Sequence, residues 1–100
     1  MRRELPLRRE NETVKFQVDA LTYHGTVSRF ADGTPAEVFL NTTKLNNASD
    51  TNARDAAIAA SLALQFGCPF ETLRHALTRN PDNTAAGPLG KFLDLIERKA

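Results

Sequence analysis

The chain has no tryptophan, one tyrosine, one cysteine and two histidines in its 100 residues. A lone cysteine, Cys68, cannot close a disulfide within the chain. That excludes a disulfide scaffold and an intrachain dithiol relay. Metal chemistry is short of ligands for the same reason. His75 follows Cys68 by about two helical turns, so the two can share a side, while His24 sits in a strand-like stretch. Two ligands do not make a zinc site, which takes three or four. No metal and no cofactor is expected. No apolar run approaches the roughly 20 residues that span a bilayer. The basic start of the chain has no apolar run behind it, so it does not read as a secretory signal, and the cytoplasm is the expected compartment. A net charge of +1 argues against a bulk electrostatic partner such as DNA or an acidic membrane.

Catalytic groups are scarce as well. Cys68 lies between Gly67 and Pro69 at a helix start, where the dipole favours a thiolate. A thiol nucleophile also needs a base, and no histidine adjoins it. Ser28, Ser49 and Ser61 have no elbow-like surroundings. Gly87-Pro88-Leu89-Gly90-Lys91 has the wrong spacing for a phosphate loop, and Phe92 stands where the hydroxyl would be.

What is present is the composition of one soluble domain, with 41% hydrophobic and 25% charged residues. A chain of this length buries roughly two thirds of its unfolded surface, enough for one modest core. Residues 1–12 are polar and aperiodic and read as a flexible basic arm carrying Arg2, Arg3, Arg8 and Arg9. Residues 13–100 read as a single domain.

From Thr13 the pattern alternates, with Val14, Phe16 and Val18 on one side of a strand. Asp19 and Ala20 suit a turn. Tyr23, Gly25 and Val27 continue a second strand to about Phe30. Asp32-Gly33 is a tight-turn signal, and Pro35 opens a third strand. Val38 and Leu40 face one side of it; Glu37, Phe39 and Asn41 face the other. After a polar loop at 41–52, Asp50 or Thr51 can cap a helix over ARDAAIAASLALQF. Its thin side is Ala56, Ala60 and Ala63. Its ridge is Ile58, Leu62 and Phe66, and a helix so apolar all round is expected to be buried. Gly67 ends it and Pro69 starts a short second helix, whose apolar side is Phe70, Leu73, Ala76 and Leu77. Pro88 opens a third, with Leu89, Phe92, Leu93 and Ile96 inward and Lys91, Asp94 and Glu97 outward. The fold class is α+β: a three-stranded antiparallel sheet (β-β-β) followed by three helices packed on one face.

Two surfaces are candidates for function. Asn41, Lys44 and Arg54 lie at the strand exit and the first turn of the long helix, where free N–H groups favour an anion. Asp50 and Asp55 oppose this with negative charge. Phe30 and Phe39 are candidate interface aromatics on the sheet face that the helices leave open. The arm is diluted by Glu4, Glu10 and Glu12 and has no aromatic residue to stack on bases, which disfavours nucleic acid.

The run Asp32-Gly33, Pro35, Glu37-Val38-Phe39-Leu40-Asn41 and Lys44 resembles the hairpin signature of the TSCPD-domain family. The Ala/Leu-rich helix ending at Gly67, with Pro69, Glu71 and Leu73 beyond it, matches the part that follows. The resemblance covers about Thr13 to Leu77. It implies a relative of the C-terminal domain of adenosylcobalamin-dependent ribonucleotide reductases, a family that also has small stand-alone members. The segment that gives the family its name departs here: Arg79-Asn80-Pro81-Asp82-Asn83-Thr84 keeps Pro-Asp but has no cysteine. Nucleotide reduction needs a thiyl radical, a dithiol and a large barrel, which a 100-residue chain with one cysteine cannot supply. The resemblance therefore implies a non-catalytic accessory domain that docks on a larger enzyme such as a ribonucleotide reductase; an exposed aromatic patch on the open sheet face would mark that partner site or a homodimer interface. The alternative is a small nucleotide- or nucleic-acid-binding regulator using Lys44, Arg54 and the arginine arm. An independent enzyme would need a site completed by oligomerisation.

Overall fold

The structure, a computed structural model, describes residues 2, 3, 5, 11–43 and 47–97. Three strands come first: β1 (Asn11–Val18), β2 (Leu21–Arg29) and β3 (Pro35–Thr42). Three helices follow: α1 (Ala48–Gln65), α2 (Phe70–Ala76) and α3 (Pro88–Glu97). The sheet is antiparallel in the order β1-β2-β3, so the expected α+β architecture holds. Among the described residues no helix is long and apolar enough to cross a membrane.

Local chemistry sets each connection. Asp19 and Ala20 both take positive φ, 51° and 67°, in the β1–β2 turn. That geometry matches the twist of the flanking strands, though Asn-Gly suits it better. At the β2–β3 turn, Gly33 takes φ 90°. Asp32 Oδ1 accepts from the Thr34 amide at 3.0 Å and the Thr34 hydroxyl at 2.7 Å. Those bonds, the hydroxyl first, hold the Asp32 carboxyl well below the usual range, with Arg3 adding to them. The same device recurs at Asp82-Asn83-Thr84, with Thr84 donating twice to Asp82 and Asn83 at φ 72°.

Strand parity selects the core. Phe16, Tyr23, Val27, Val38 and Leu40 point inward and meet Leu89, Phe92, Leu93 and Ile96 of α3. Phe16 stacks on Tyr23 on one side and on Phe92 on the other, with centroids 5.7 and 5.9 Å apart. Phe92 reaches the sheet because residue 25 is glycine. A Cβ at Gly25 would stand 2.5 Å from two carbons of the Phe92 ring.

α1 differs from the sequence reading in its orientation. Its buried residues are Asp50, Ala53, Ala57, Ala60, Ser61, Leu64 and Gln65. The Ile58, Leu62 and Phe66 ridge is exposed, at 58%, 44% and 58%. Small side chains let the helix axis come close to β3, whereas the bulky ridge would hold it off. The N-cap is Asn47 rather than Asp50 or Thr51. Asn47 Oδ1 accepts from the Asp50 amide at 2.8 Å, which releases the Asp50 carboxylate for β3. At the other end Gly67 takes φ 106°, and the Cys68 and Gly67 amides close onto the Ala63 and Leu64 carbonyls. This is the glycine-terminated stop read from the sequence.

Asp94, expected on the outer face of α3, is half-buried instead. It accepts from Arg74 at 2.9 Å and from both terminal nitrogens of Arg79 at 2.8 Å, tying α2 and the following loop to α3.

Candidate functional site: the cleft between β3 and α1

β3 lies at an edge of the sheet, and an open edge presents unpaired N–H and C=O groups. Here α1 runs antiparallel to that edge and caps it with side chains. Asp50 Oδ1 accepts from the Thr42 amide at 2.8 Å. Ser61 Oγ accepts from the Val38 amide at 2.9 Å and donates to the Val38 carbonyl at 3.0 Å. Gln65 Nε2 donates to the Ala36 carbonyl at 3.2 Å. The spacing works because the two elements have matching lengths. Asp50 to Gln65 rises about 22 Å at ~1.5 Å per helical residue. Ala36 to Thr42 spans about 20 Å at ~3.3 Å per strand residue.

Leu40 falls between these rungs. In an antiparallel strand the N–H and C=O of one residue share an edge, and alternate residues face alike. The Val38 and Thr42 amides point to α1, so those of Leu40 do too. The helix position between Asp50 and Ser61 on this side is Ala57, whose methyl offers no hydrogen bond.

Along this gap runs a cleft of about 370 Å³. Half-exposed Phe39, with Ile58 and Leu62, forms its apolar wall. A guanidinium stands at each end. Arg54 Nε donates to Asp50 Oδ2 at 2.8 Å, at the Thr42 end. Arg2 Nε donates to Gln65 Oε1, at the Ala36 end. The Thr42 amide, followed by Arg54, holds the Asp50 carboxyl below its ordinary range, against the opposing effect of burial. Asp50 therefore stays charged while it caps the strand.

Three of the residues singled out in the sequence meet here: Phe39, Asn41 and Arg54 all line the cleft. Lys44 lies outside the described residues. Phe30 does not join them and is not on an open face. It is 5% exposed, with the Arg3 guanidinium 3.8 Å from its ring centre. Arg3 also pairs with Asp32 at 2.9 Å and donates its amide to the Gln65 carbonyl. Arg2 and Arg3, read as part of a flexible arm, are thus held against the body, and β1 takes in Asn11 and Glu12. Sequence reasoning gave Arg2 to the arm, took Ile58 and Leu62 as a buried ridge, and missed Ser61 and Gln65. The last two carried a legible signal, as polar residues one turn apart in an Ala/Leu helix, in phase with Asp50. Among the described residues, no group of three or more His, Cys, Asp or Glu side chains is placed to hold a metal.

Over 77 residues, 77% of its length, the chain is 35% identical to a vitamin B12-dependent ribonucleotide reductase of Agrobacterium fabrum. It is similar to part of a reductase. The matched region is 6% of that protein, so the chain spans a small fraction of its relative. No family model matches the chain, and no solved structure does.

Proposed function

We propose that this chain is a non-catalytic binding domain of the kind found in TSCPD-type segments of ribonucleotide reductases, and that it docks on a larger enzyme of nucleotide metabolism in the cytoplasm. The observation that carries the reading is the β3–α1 cleft. Phe39, Ile58 and Leu62 leave apolar surface exposed there, beside an edge strand that α1 covers. Apolar surface grouped in this way marks a partner site. The likeness to a segment of a much larger reductase supports a large enzyme as the partner.

The test is biolayer interferometry of the chain against purified ribonucleotide reductase from the same host. Saturable binding that Ile58→Glu abolishes supports the reading. No binding at micromolar reductase refutes it.

A second reading, a nucleotide-binding regulator, draws on the meeting of Asn41 and Arg54 in one cleft. It predicts salt-sensitive amide shifts at Asn41 and Arg54 on adding nucleoside triphosphates. Unchanged spectra at low salt would remove it.

A further inference from the structure

We propose that a second cleft, on the side of α1 opposite Ile58 and Leu62, binds a small monocarboxylic acid. Its carboxylate is held by the Leu89 and Gly90 amides and the Tyr23 hydroxyl, and its apolar body lies on Ala53, Ala56 and Leu77. This goes beyond the binding-domain reading and does not depend on it.

The cleft holds about 410 Å³ and lies where α1, the segment after α2 and the start of α3 meet. Gly87, Pro88, Leu89 and Gly90 form one wall. Their spacing is wrong for a phosphate loop, and what they build instead is an uncapped helix start. The first backbone bond of α3 runs from the Lys91 amide to the Gly87 carbonyl at 3.0 Å. Pro88 has no N–H, so Leu89 and Gly90 carry the two free ones, and neither has an acceptor among the described residues. Free N–H groups at a helix start attract an anion.

Tyr23 points to a ligand independently. It is 4% exposed, its ring is stacked on Phe16, and it lines this cleft. Every fully enclosed side-chain nitrogen or oxygen among the described residues has a hydrogen-bond partner. The Tyr23 hydroxyl has none there, so it is the part of the residue that opens into the cleft. A buried tyrosine hydroxyl usually finds a partner, and here a ligand can supply it. Charge then narrows the ligand class. No charged side chain lines the cleft, and Lys91 lines a different one, beside Asp94. The helix start contributes roughly half a positive charge. A single carboxylate suits that field and can accept charge-assisted bonds from two amides and a hydroxyl. A phosphate brings a second negative charge with no cation to meet it.

The experiment is a titration of the ¹⁵N-labelled full chain with sodium butyrate. Butyramide is the uncharged control and inorganic phosphate the competing anion. The expected result with butyrate is a set of saturable shifts centred on the Leu89 and Gly90 amides. Binding should weaken at least about tenfold for butyramide and for Tyr23→Phe, which deletes a hydrogen bond to a charged group and keeps the ring stack. Phosphate should bind more weakly than butyrate. Ser49→Asp keeps the test open if Tyr23→Phe does not fold: an acidic residue suits a helix start, and here it sets a negative charge in the cleft. It too should weaken butyrate. Equal binding of butyrate and butyramide, tighter binding of phosphate, shifts confined to another surface, or no shift at tens of millimolar butyrate would overturn the proposal. So would a butyrate affinity that either folded variant leaves unchanged.

Discussion

Replacing Gly25 with alanine sets two physical effects against each other. Glycine in a strand interior is conformationally costly, so alanine should gain roughly 0.5–1 kcal/mol on propensity alone. Packing predicts the opposite sign. The new methyl would lie 2.5 Å from Cδ1 and Cε1 of Phe92 and 2.9 Å from Cγ. Carbon atoms rest about 3.5–4.0 Å apart, so the ring must retreat by about 1 Å. It has nowhere to go: Phe92 is fully buried and stacked on Phe16. Overpacking of this kind costs about 1–3 kcal/mol, which exceeds the propensity gain at most of that range. The expected net is destabilisation by about 1–2 kcal/mol, or a fall in Tm of about 4–16 °C for a domain of this size. Circular dichroism melts give the number. Phe92→Leu removes Cε1, one of the two carbons 2.5 Å from the methyl, and frees the rest of a rigid ring, so the double variant should lose less than the sum of the singles, with a coupling of about 1 kcal/mol. A Gly25→Ala protein as stable as the parent, or more stable, would refute the close-approach argument.

Ser61→Ala strips both edge-facing groups of Val38 of their partner, and the buried donor alone should cost about 1–3 kcal/mol in urea unfolding; hydrogen exchange at the Val38 amide should quicken in step. Ala20→Gly relieves the positive φ of the β1–β2 turn and should stabilise by about 0.5–1 kcal/mol, read as a higher Tm. Asp94 is held below the usual carboxylate range by Arg79 first and Arg74 next. Its folded pKa lies below its unfolded value, so its stabilisation is complete above about pH 4 and is lost as pH falls through the depressed value. Asp94→Asn should therefore lower stability at neutral pH and flatten the decline below about pH 4, measured by urea titrations across that range.

The order of elements was legible because each carries its own punctuation. Alternation gave the three strands, Asp32-Gly33 gave the second turn, and Gly67 with Pro69 gave the break between helices. The inner face of α3 followed from its single apolar stripe. α1 was harder because its sequence is apolar all round, so periodicity could not say which side packs. The three residues that decide it, Asp50, Ser61 and Gln65, act by bonding the backbone edge of β3, 8, 23 and 29 residues away in sequence. Phe30 was misplaced because it follows the last residue of β2 and β3 pairing slips at Ser28/Arg29, so strand parity no longer predicts its side. Of the candidate site, Phe39, Asn41 and Arg54 were found from local pattern. Ile58 and Leu62 were found as a ridge but assigned to the core. The contribution of Arg2 depends on a contact with Gln65 that no local rule contains.

Hydrogen–deuterium exchange of the chain with and without the host's purified ribonucleotide reductase tests the central claim most directly. The account predicts protection concentrated on β3 and the exposed side of α1, strongest at peptides containing Leu40 and Ile58, and lost in the Ile58→Glu variant. Protection confined to β1 or α2, or none at saturating reductase, would contradict it.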